Sequence, residues 1–304
     1  MTLTACILVL LSAISHTVWN YLGKSAASNT KSFMTASFVT ILFYIPFLCI
    51  YKNLIPYIAS NWYLICATGI FNGLAYWGIL IAYRYGDLSF VYPLKNAQPI
   101  IYTTVFSFIM GTATKISHPA ILGFILIFIG CFALPIKSRS DLNIRRYFNK
   151  AFIFTSLAAL GTAGYSTIDS INLKKISSSL AETGIISSPI QTAVVYIPFM
   201  YLATGFALLL YMIIDRKVFG INSAKIQINY KIIPVVAICI SLSYLLVFTA
   251  YGYADNVSYV VAFRQIGMPI SIVLGCLALG ERPYFGKIIG GILIISGLVF
   301  TALF

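Results

Sequence analysis

The sequence has very few charged residues. Asp, Glu, Lys and Arg together make up 9% of the 304 residues, whereas hydrophobic residues make up 60%. A water-soluble domain carries roughly 25% charged residues, because its loops and outer faces need them. The scarcity of charge therefore excludes a water-soluble globular protein and predicts a chain whose surface is mostly covered by lipid.

Acidic residues are especially scarce: 7 Asp and Glu stand against 20 Lys and Arg, which gives a formal net charge of +13. Such a charge would suit a nucleic-acid partner, but the basic residues form short clusters between long apolar runs. That pattern is typical of cytoplasmic loops in membrane proteins. We therefore expect the lipid bilayer, and not nucleic acid, as the partner of these residues.

The residues that build catalytic or metal centres are also few. The chain has 2 His and 6 Cys, and no two cysteines form a Cys-x-x-Cys pair. No Gly-rich phosphate-binding loop is present, and no two carboxylates share one face of an apolar run. We therefore expect neither a metal ion nor a cofactor, and no enzymatic activity. Any transport by this chain would then draw its energy from a gradient or from exchange, and not from ATP hydrolysis.

What the sequence does have is a series of apolar runs, each long enough to cross a bilayer as a helix of about 20 residues. Continuous runs of this kind form helices, because backbone groups in hydrocarbon must bond to one another. The sequence predicts an all-α integral membrane protein with ten transmembrane helices. Their expected ranges are 2–22, 33–51, 62–82, 88–110, 119–136, 151–172, 190–214, 232–253, 257–280 and 284–304.

Short motifs recur in order in the two halves of the chain. Tyr-Ile-Pro-Phe at 44–47 returns at 196–199, and Lys95-Asn96 corresponds to Arg264-Gln265. This series indicates a duplication, with repeats at 1–136 and 151–304 and a basic linker at 137–150. Because each repeat has five spans, the second enters the membrane upside down. Inverted repeats of this kind are typical of secondary transporters that work by alternating access.

The loop charges predict an orientation. The 137–150 linker and the 215–231 loop are the most basic connections, whereas the opposite side carries few basic residues. The positive-inside rule places both connections in the cytoplasm and both termini outside. We expect a multi-pass protein of the plasma membrane or inner membrane.

Two further motifs carry a resemblance to a known family. His16-Thr17-Val18-Trp19-Asn20 with Lys24, and Leu279-Gly280-Glu281-Arg282, resemble the EamA-like branch of the drug/metabolite transporter superfamily. The first half reads Gly-Thr-Ala-Thr-Lys at 111–115, where the family commonly repeats Gly-Glu-Arg. The resemblance implies ten helices around a central cavity, with both termini in the cytoplasm, opposite to what the loop charges predict.

Two cations are the strongest candidates for substrate binding. Lys95 and Arg264 each lie roughly 10 Å inside a predicted span, where a charge is costly unless it is paired, hydrated or directed into a cavity. Together they could hold an anionic group, which Arg264 can bind bidentately. The resemblance implies the same, because the distantly related triose-phosphate translocators bind phosphate with basic residues on the equivalent helices. The alternatives are snorkelling and a structural ion pair with Asp169.

Asp169 and His16 are the candidates for coupling transport to protons. Asp169 is the only acidic residue well inside a predicted span, and it could balance the cations, bind a substrate ammonium or carry a proton. His16 titrates in the right range for a relay, although a lone histidine more often bonds within the packing.

Six more residues complete the predicted substrate site. Amides and aromatics inside membrane helices more often serve packing than binding. These six stand out because they adjoin a buried cation, lie beside His16 or occupy equivalent places in the two repeats. They are Asn96, Gln265, Trp19, Asn20, Tyr76 and Tyr244.

The sequence thus predicts a secondary transporter of a small polar metabolite that is anionic or zwitterionic, such as an amino acid, organic acid or organophosphate. Exchange or a proton gradient would drive it. The alternatives are an exporter of neutral or cationic amphipathic compounds and a membrane-embedded enzyme. Gly286, Gly290 and Gly297 form a small-residue face on the last helix, which predicts close packing within the chain or a homodimer.

Overall fold

The fold was analysed in a computed structural model, in which every regular element of the described part is helical. The structure describes residues 2–26, 30–86, 88–111, 116–136, 149–220, 230–270, 273 and 284–303, and of 17–26, 88–90 and 302–303 it describes the backbone alone. The all-α prediction is confirmed.

Six α-helices form the described part of the first half of the chain. The fourth and fifth of these helices contain the residues that matter most for the site, whereas α3 is a single short turn. The helices are α1 (Leu3–Ala26), α2 (Thr30–Ile50), α3 (Ile55–Ala59), α4 (Trp62–Tyr85), α5 (Leu88–Ile109) and α6 (His118–Ala133).

Five helices are bounded within the described residues of the second half. A short 3-10 turn, Arg264–Ile266, continues directly from α10. The helices are α7 (Lys150–Glu182), α8 (Pro189–Phe219), α9 (Ile233–Tyr251), α10 (Val257–Phe263) and α11 (Phe285–Leu303).

Five of the described helices, α2, α4, α7, α8 and α9, are long and apolar enough to cross a membrane. Shorter apolar stretches occupy Leu3–His16, His118–Ala133 and Phe285–Thr301. Large apolar side chains such as Leu42, Phe108 and Phe206 are exposed on the outside of the bundle. Because an exposed apolar surface of this extent needs lipid around it, the protein is an integral membrane protein.

Helix α8 begins and ends at residues that the sequence marks clearly. The Ser188 hydroxyl accepts a hydrogen bond from the Gln191 N–H, and Gln191 Oε1 accepts one from the Ser188 N–H at 2.8 Å, which is a capping box. Gly220 ends the helix with φ at +66°, a left-handed conformation that glycine adopts without strain. The helix therefore runs beyond the expected end at 214 and includes Asp215.

Two other elements differ from the expected spans. Helix α7 continues to Glu182, ten residues past the predicted end at 172. The prediction stopped early because the last turns of the helix carry polar residues, which end an apolar run without ending the helix. The ninth predicted span, 257–280, is interrupted after Phe263 by the 3-10 turn that contains Arg264, and helix resumes at 267–270. Residues 271–272 and 274–280 of this span lie outside the described part of the chain.

The two halves are packed into each other instead of standing side by side. Helix α4 packs on α7 and α8, α1 on α9, α2 on α8, α5 on α7 and α10, and α6 on α11. The buried core lies along these contacts and includes Tyr196, Tyr201, Phe248 and Tyr251. Any site at the centre of the bundle is therefore built by residues from both halves.

The glycines of α6 and α11 face each other within the chain. A Cβ atom at Gly297 would lie 2.5 Å from the carbonyl oxygen of Gly123, and one at Gly290 would lie 2.6 Å from that of Gly130. These glycines allow the two backbones to touch, as small residues do in membrane helices. The close packing expected of the last helix is thus present inside the chain, and a homodimer stays a prediction.

Candidate substrate site

A small polar cavity lies between α1, α5 and the 3-10 turn after α10. His16 of α1, Tyr92 and Asn96 of α5, and Arg264 and Gln265 of the turn line it. Four of these five are residues that the sequence predicted for the site. Since α1 and α5 belong to the first half and the turn to the second, both halves build the cavity.

Lys95 and Arg264 lie close enough for their charges to interact, and His16 interacts with both of them. Within the described part of the chain neither cation forms an ion pair with a carboxylate. The charge that acts on Lys95 in this part of the chain is thus that of another cation, Arg264. Buried like charges are costly without a compensating anion, so the site is suited to an anionic group.

The amides next to the two cations are anchored to their own helices. The Asn96 amide donates to the carbonyl oxygen of Tyr92 at 2.9 Å, and the Gln265 amide donates to that of Val261 at 3.1 Å. Each hydrogen bond joins an amide nitrogen to the carbonyl oxygen four residues earlier in the chain. Both amide groups are thereby held against their own backbone, next to the cations. Their role as ligands stays a prediction.

Arg264 borders a group of buried tyrosines that we call the tyrosine cluster: Tyr76, Tyr165, Tyr201 and Tyr244. The ring of Tyr244 lies 5.7 Å from that of Tyr165 and 5.9 Å from that of Tyr201. Tyr165 and Tyr244 interact electrostatically with the Arg264 guanidinium. The two tyrosines predicted from their equivalent repeat positions, Tyr76 and Tyr244, therefore both belong to the surroundings of Arg264.

Tyr244 is also tied to the first half of the chain. Its hydroxyl donates to Oδ1 of Asn72 at 3.1 Å, and the Asn72 amide in turn donates to Oγ1 of Thr204 at 3.2 Å. These bonds connect α9, α4 and α8. Asn72 therefore acts as a bridge between helices, as amides in membrane helices commonly do.

A second, mostly apolar cavity is narrow and lies between α2, α4, α8 and α9. Phe33, Tyr76, Tyr201 and Ile240 line it, together with the hydroxyl-bearing residues Ser37 and Thr40. The Phe33 and Tyr76 rings are stacked at 4.6 Å. Two members of the tyrosine cluster, Tyr76 and Tyr201, thus line this apolar cavity.

Asp169 lies on α7 with no exposed surface. Its Oδ1 accepts hydrogen bonds from Thr68 Oγ1 at 2.7 Å and from the Tyr196 hydroxyl at 2.6 Å, whereas its Oδ2 has no hydrogen-bond partner. The sequence left open a structural ion pair between Asp169 and the cations. In the described residues, both hydrogen bonds to Asp169 come instead from neutral hydroxyls.

Asp215 is a second fully buried carboxylate, and the sequence-based spans left it in a loop. Thr30 Oγ1 donates to its Oδ2 at 3.0 Å, and the Trp77 indole donates to its Oδ1 at 2.8 Å. Gly220 could have revealed its place, since a glycine in this position marks the end of a helix. Asp215 joins α8 to α2 and α4 at the end of the bundle opposite to Asp169.

Two predicted site residues remain untested by the geometry. Trp19 and Asn20 lie on α1 one turn beyond His16, but their side chains are outside the described residues. Of the other predicted residues, His16, Asn96, Arg264 and Gln265 line one cavity, and Lys95, Tyr76 and Tyr244 lie beside it. Asp169 lies apart from that cavity, on the far side of Tyr251, which interacts with both Asp169 and Arg264.

The long apolar helices of the bundle define a class, the integral membrane proteins. Residues 3–136 match the model of the EamA-like transporter family. The first half of the chain thus matches an EamA-like domain, as the motif at 16–20 indicated.

A solved crystal structure has the same fold. It covers 100% of this chain and 98% of its own, with a TM-score of 0.70 at 13% sequence identity. At that identity the likeness shows the fold alone. No curated protein sequence matches the chain.

Proposed function

We propose that the protein is a secondary transporter that carries a small anionic or zwitterionic metabolite across the membrane by alternating access. The observation that carries the proposal is the meeting of Lys95 and Arg264, from opposite halves of the chain, beside a cavity where no described carboxylate neutralises them. An anion bound there would offset both charges. Asn96, Gln265 and His16 would complete the contacts, with Trp19, Asn20, Tyr76 and Tyr244 around them.

The helix contacts support the inverted repeat of 1–136 and 151–304 on which alternating access depends. The repeat pairs the helices in order: α1 with α7, α2 with α8, α4 with α9, α5 with α10, and α6 with α11. The contact of α1 with α9 then corresponds to that of α7 with α4, and the contact of α5 with α7 to that of α10 with α1. The α2–α8, α5–α10 and α6–α11 contacts each correspond to themselves. The two halves thus share one pattern of helix contacts, although the matched contacts differ in extent. In an inverted repeat, exchanging the conformations of the two halves turns a form open to one side into a form open to the other.

Exchange of a second substrate or a proton gradient would drive the transport. Asp169 and His16 are the residues proposed for proton coupling, because each can change its charge inside the bundle. Asp169 joins α4 of the first half to α7 and α8 of the second through Thr68 and Tyr196. A proton arriving there would change the contacts between the halves.

An exporter of neutral or cationic amphipathic compounds is the second candidate. The apolar cavity lined by Phe33, Tyr76 and Tyr201 favours it, because aromatic rings bind apolar and cationic groups. The cations beside the polar cavity disfavour it, since they would repel a cationic compound. A membrane-embedded enzyme would need a nucleophile, paired acids or a metal cluster, and no group of three or more potential metal ligands occurs among the described residues.

Flux measured in proteoliposomes separates these functions. We expect uptake of a labelled amino acid, organic acid or organophosphate to saturate with concentration and to accelerate when the vesicles are preloaded with the same unlabelled compound. Transport of cationic compounds alone would favour the exporter. Chemical conversion of the compound would indicate an enzyme, and no uptake of any class would contradict a transporter.

A further inference from the structure

The bundle holds two half-buried cations, Lys95 and Arg264, and a fully buried carboxylate, Asp169. Arg264 and Lys95 have no described carboxylate partner. Asp169 has no exposed surface, and its Oδ2 accepts no hydrogen bond although the atom is buried. A buried carboxylate oxygen without a partner requires an explanation, such as a group that binds there in another state.

The arrangement around Asp169 orients this free oxygen. Thr68 and Tyr196 both donate to Oδ1, from α4 and from α8. Two donors from two helices hold Oδ1 and leave Oδ2 without a donor. Three residues on along α7, Oδ1 of Asn172 is likewise buried without a partner, although the Asn172 amide donates to the Tyr196 hydroxyl at 3.4 Å. Two buried acceptor oxygens without donors therefore lie within one turn of α7, and they suit a ligand that donates hydrogen bonds when the bundle opens.

Tyrosines separate this carboxylate from the cations. Tyr165 precedes Asp169 by four residues and therefore lies on the same face of α7, one turn away. Tyr165 interacts with Arg264, and Tyr251 interacts with both Arg264 and Asp169. The two charges thus share neighbours without forming a direct ion pair. A ligand can reach both only if it carries two groups of its own, separated by a short spacer.

We propose that the substrate is a zwitterion whose anionic group binds Arg264 and Lys95 and whose ammonium group binds Oδ2 of Asp169. This deepens the proposed function, on which it rests, by choosing zwitterions over simple anions. The ammonium donates to Oδ2 and to Oδ1 of Asn172, and the carboxylate or phosphate accepts from the guanidinium. A proton and an ammonium are alternative cations for Asp169, so the same residue can also serve coupling.

The test compares ligands that differ in the ammonium group alone. Binding to the detergent-solubilised full chain is measured by thermal shift and calorimetry for the protein amino acids and their des-amino acids, and for ethanolamine phosphate and ethyl phosphate. We expect at least one zwitterion to bind about tenfold or more tightly than its partner without the amine. Equal binding of the two members of every pair overturns the zwitterion proposal and leaves the anion transporter standing. Binding of no compound overturns both.

Asp169→Asn then tests the residue, since the amide keeps an acceptor for Thr68 and Tyr196 but loses the charge. We expect the preference for the zwitterion to fall about tenfold, while affinity for the des-amino acid changes by less than about twofold. The matched control is Asp215→Asn, the other buried carboxylate, which is nineteen residues and about 28 Å beyond Tyr196 along α8. It should keep the preference. An unchanged preference in Asp169→Asn, or an equal loss in both variants, overturns the assignment.

Discussion

The hydroxyl of Tyr196 on α8 donates a hydrogen bond of 2.6 Å to Oδ1 of Asp169 on α7. Thr68 of α4 donates to the same oxygen at 2.7 Å. One buried carboxylate thereby holds together a helix of the first half and two helices of the second. The contact is short because one partner is a carboxylate, and charge-assisted bonds of this type are about twice as strong as neutral ones.

Tyr196→Phe removes this donor and should destabilise the protein. We expect a loss of about 1–3 kcal/mol, because a buried carboxylate then lacks one of its two hydrogen bonds. Thermal unfolding in detergent measures the effect. Tyr57→Phe is the matched control, since the Tyr57 hydroxyl bonds to Thr183 at the exposed rim, and its cost should stay under about 0.5 kcal/mol. Equal melting temperatures for the two variants would argue against the role given to Tyr196.

Gly297→Ala should separate α11 from α6. The added Cβ would lie 2.5 Å from the carbonyl oxygen of Gly123 and 2.7 Å from Cγ1 of Ile127. Because backbone atoms cannot give way, we expect a loss of about 1–3 kcal/mol. Val299→Ala on the lipid-exposed side of α11 is the control in the same unfolding assay. If the two substitutions have the same effect, the tight α6–α11 contact is not what stabilises this pair.

Asp169→Asn should abolish the response of transport to a pH gradient, because the amide cannot take up or release a proton. The measurement is uptake into proteoliposomes with and without an imposed gradient, at equal substrate concentration. Asp215→Asn is the control and should respond like the parent protein. Proton dependence that survives in Asp169→Asn, or its absence from the parent, would count against coupling through this residue.

A single cysteine can decide the orientation. Ile186, in the loop between α7 and α8, is 99% exposed, and the loop charges place this loop outside the cell. In a variant without the native cysteines, Ile186→Cys should react with an impermeant maleimide on intact cells, whereas Ser140→Cys in the basic linker should react only after permeabilisation. The reverse pattern would match the arrangement that is usual in the resembled family.

Much of the helical architecture could be predicted from the sequence, because lipid imposes a strong length requirement on apolar runs. The break at Arg264 could not, since 3-10 geometry depends on how the turn packs against α1 and α11. The end of α8 was misplaced because hydropathy falls at Asp215, although Gly220 marks the true end. Periodic apolar content thus locates spans well and their polar ends poorly.

For the site, repeat equivalence singled out Lys95 and Arg264, whose charges interact in the structure, and their role in binding stays a prediction. It could not predict the partners of Asp169, because Thr68 and Tyr196 reach it from helices whose crossing angles are set by packing. The same holds for the bridge from Tyr244 through Asn72 to Thr204. Contacts across helices follow from three-dimensional packing, which spacing along one chain does not encode.

The central claim, that the two cations from opposite halves hold the substrate's anionic group, is tested most directly by counterflow in proteoliposomes. Lys95→Gln and Arg264→Gln are compared with Lys175→Gln, whose parent side chain bonds to Tyr63 at the rim. We expect each of the first two to lower uptake by about tenfold or more, with unchanged membrane insertion and melting temperature, while the rim variant transports normally. Normal transport by both Lys95→Gln and Arg264→Gln would contradict the account.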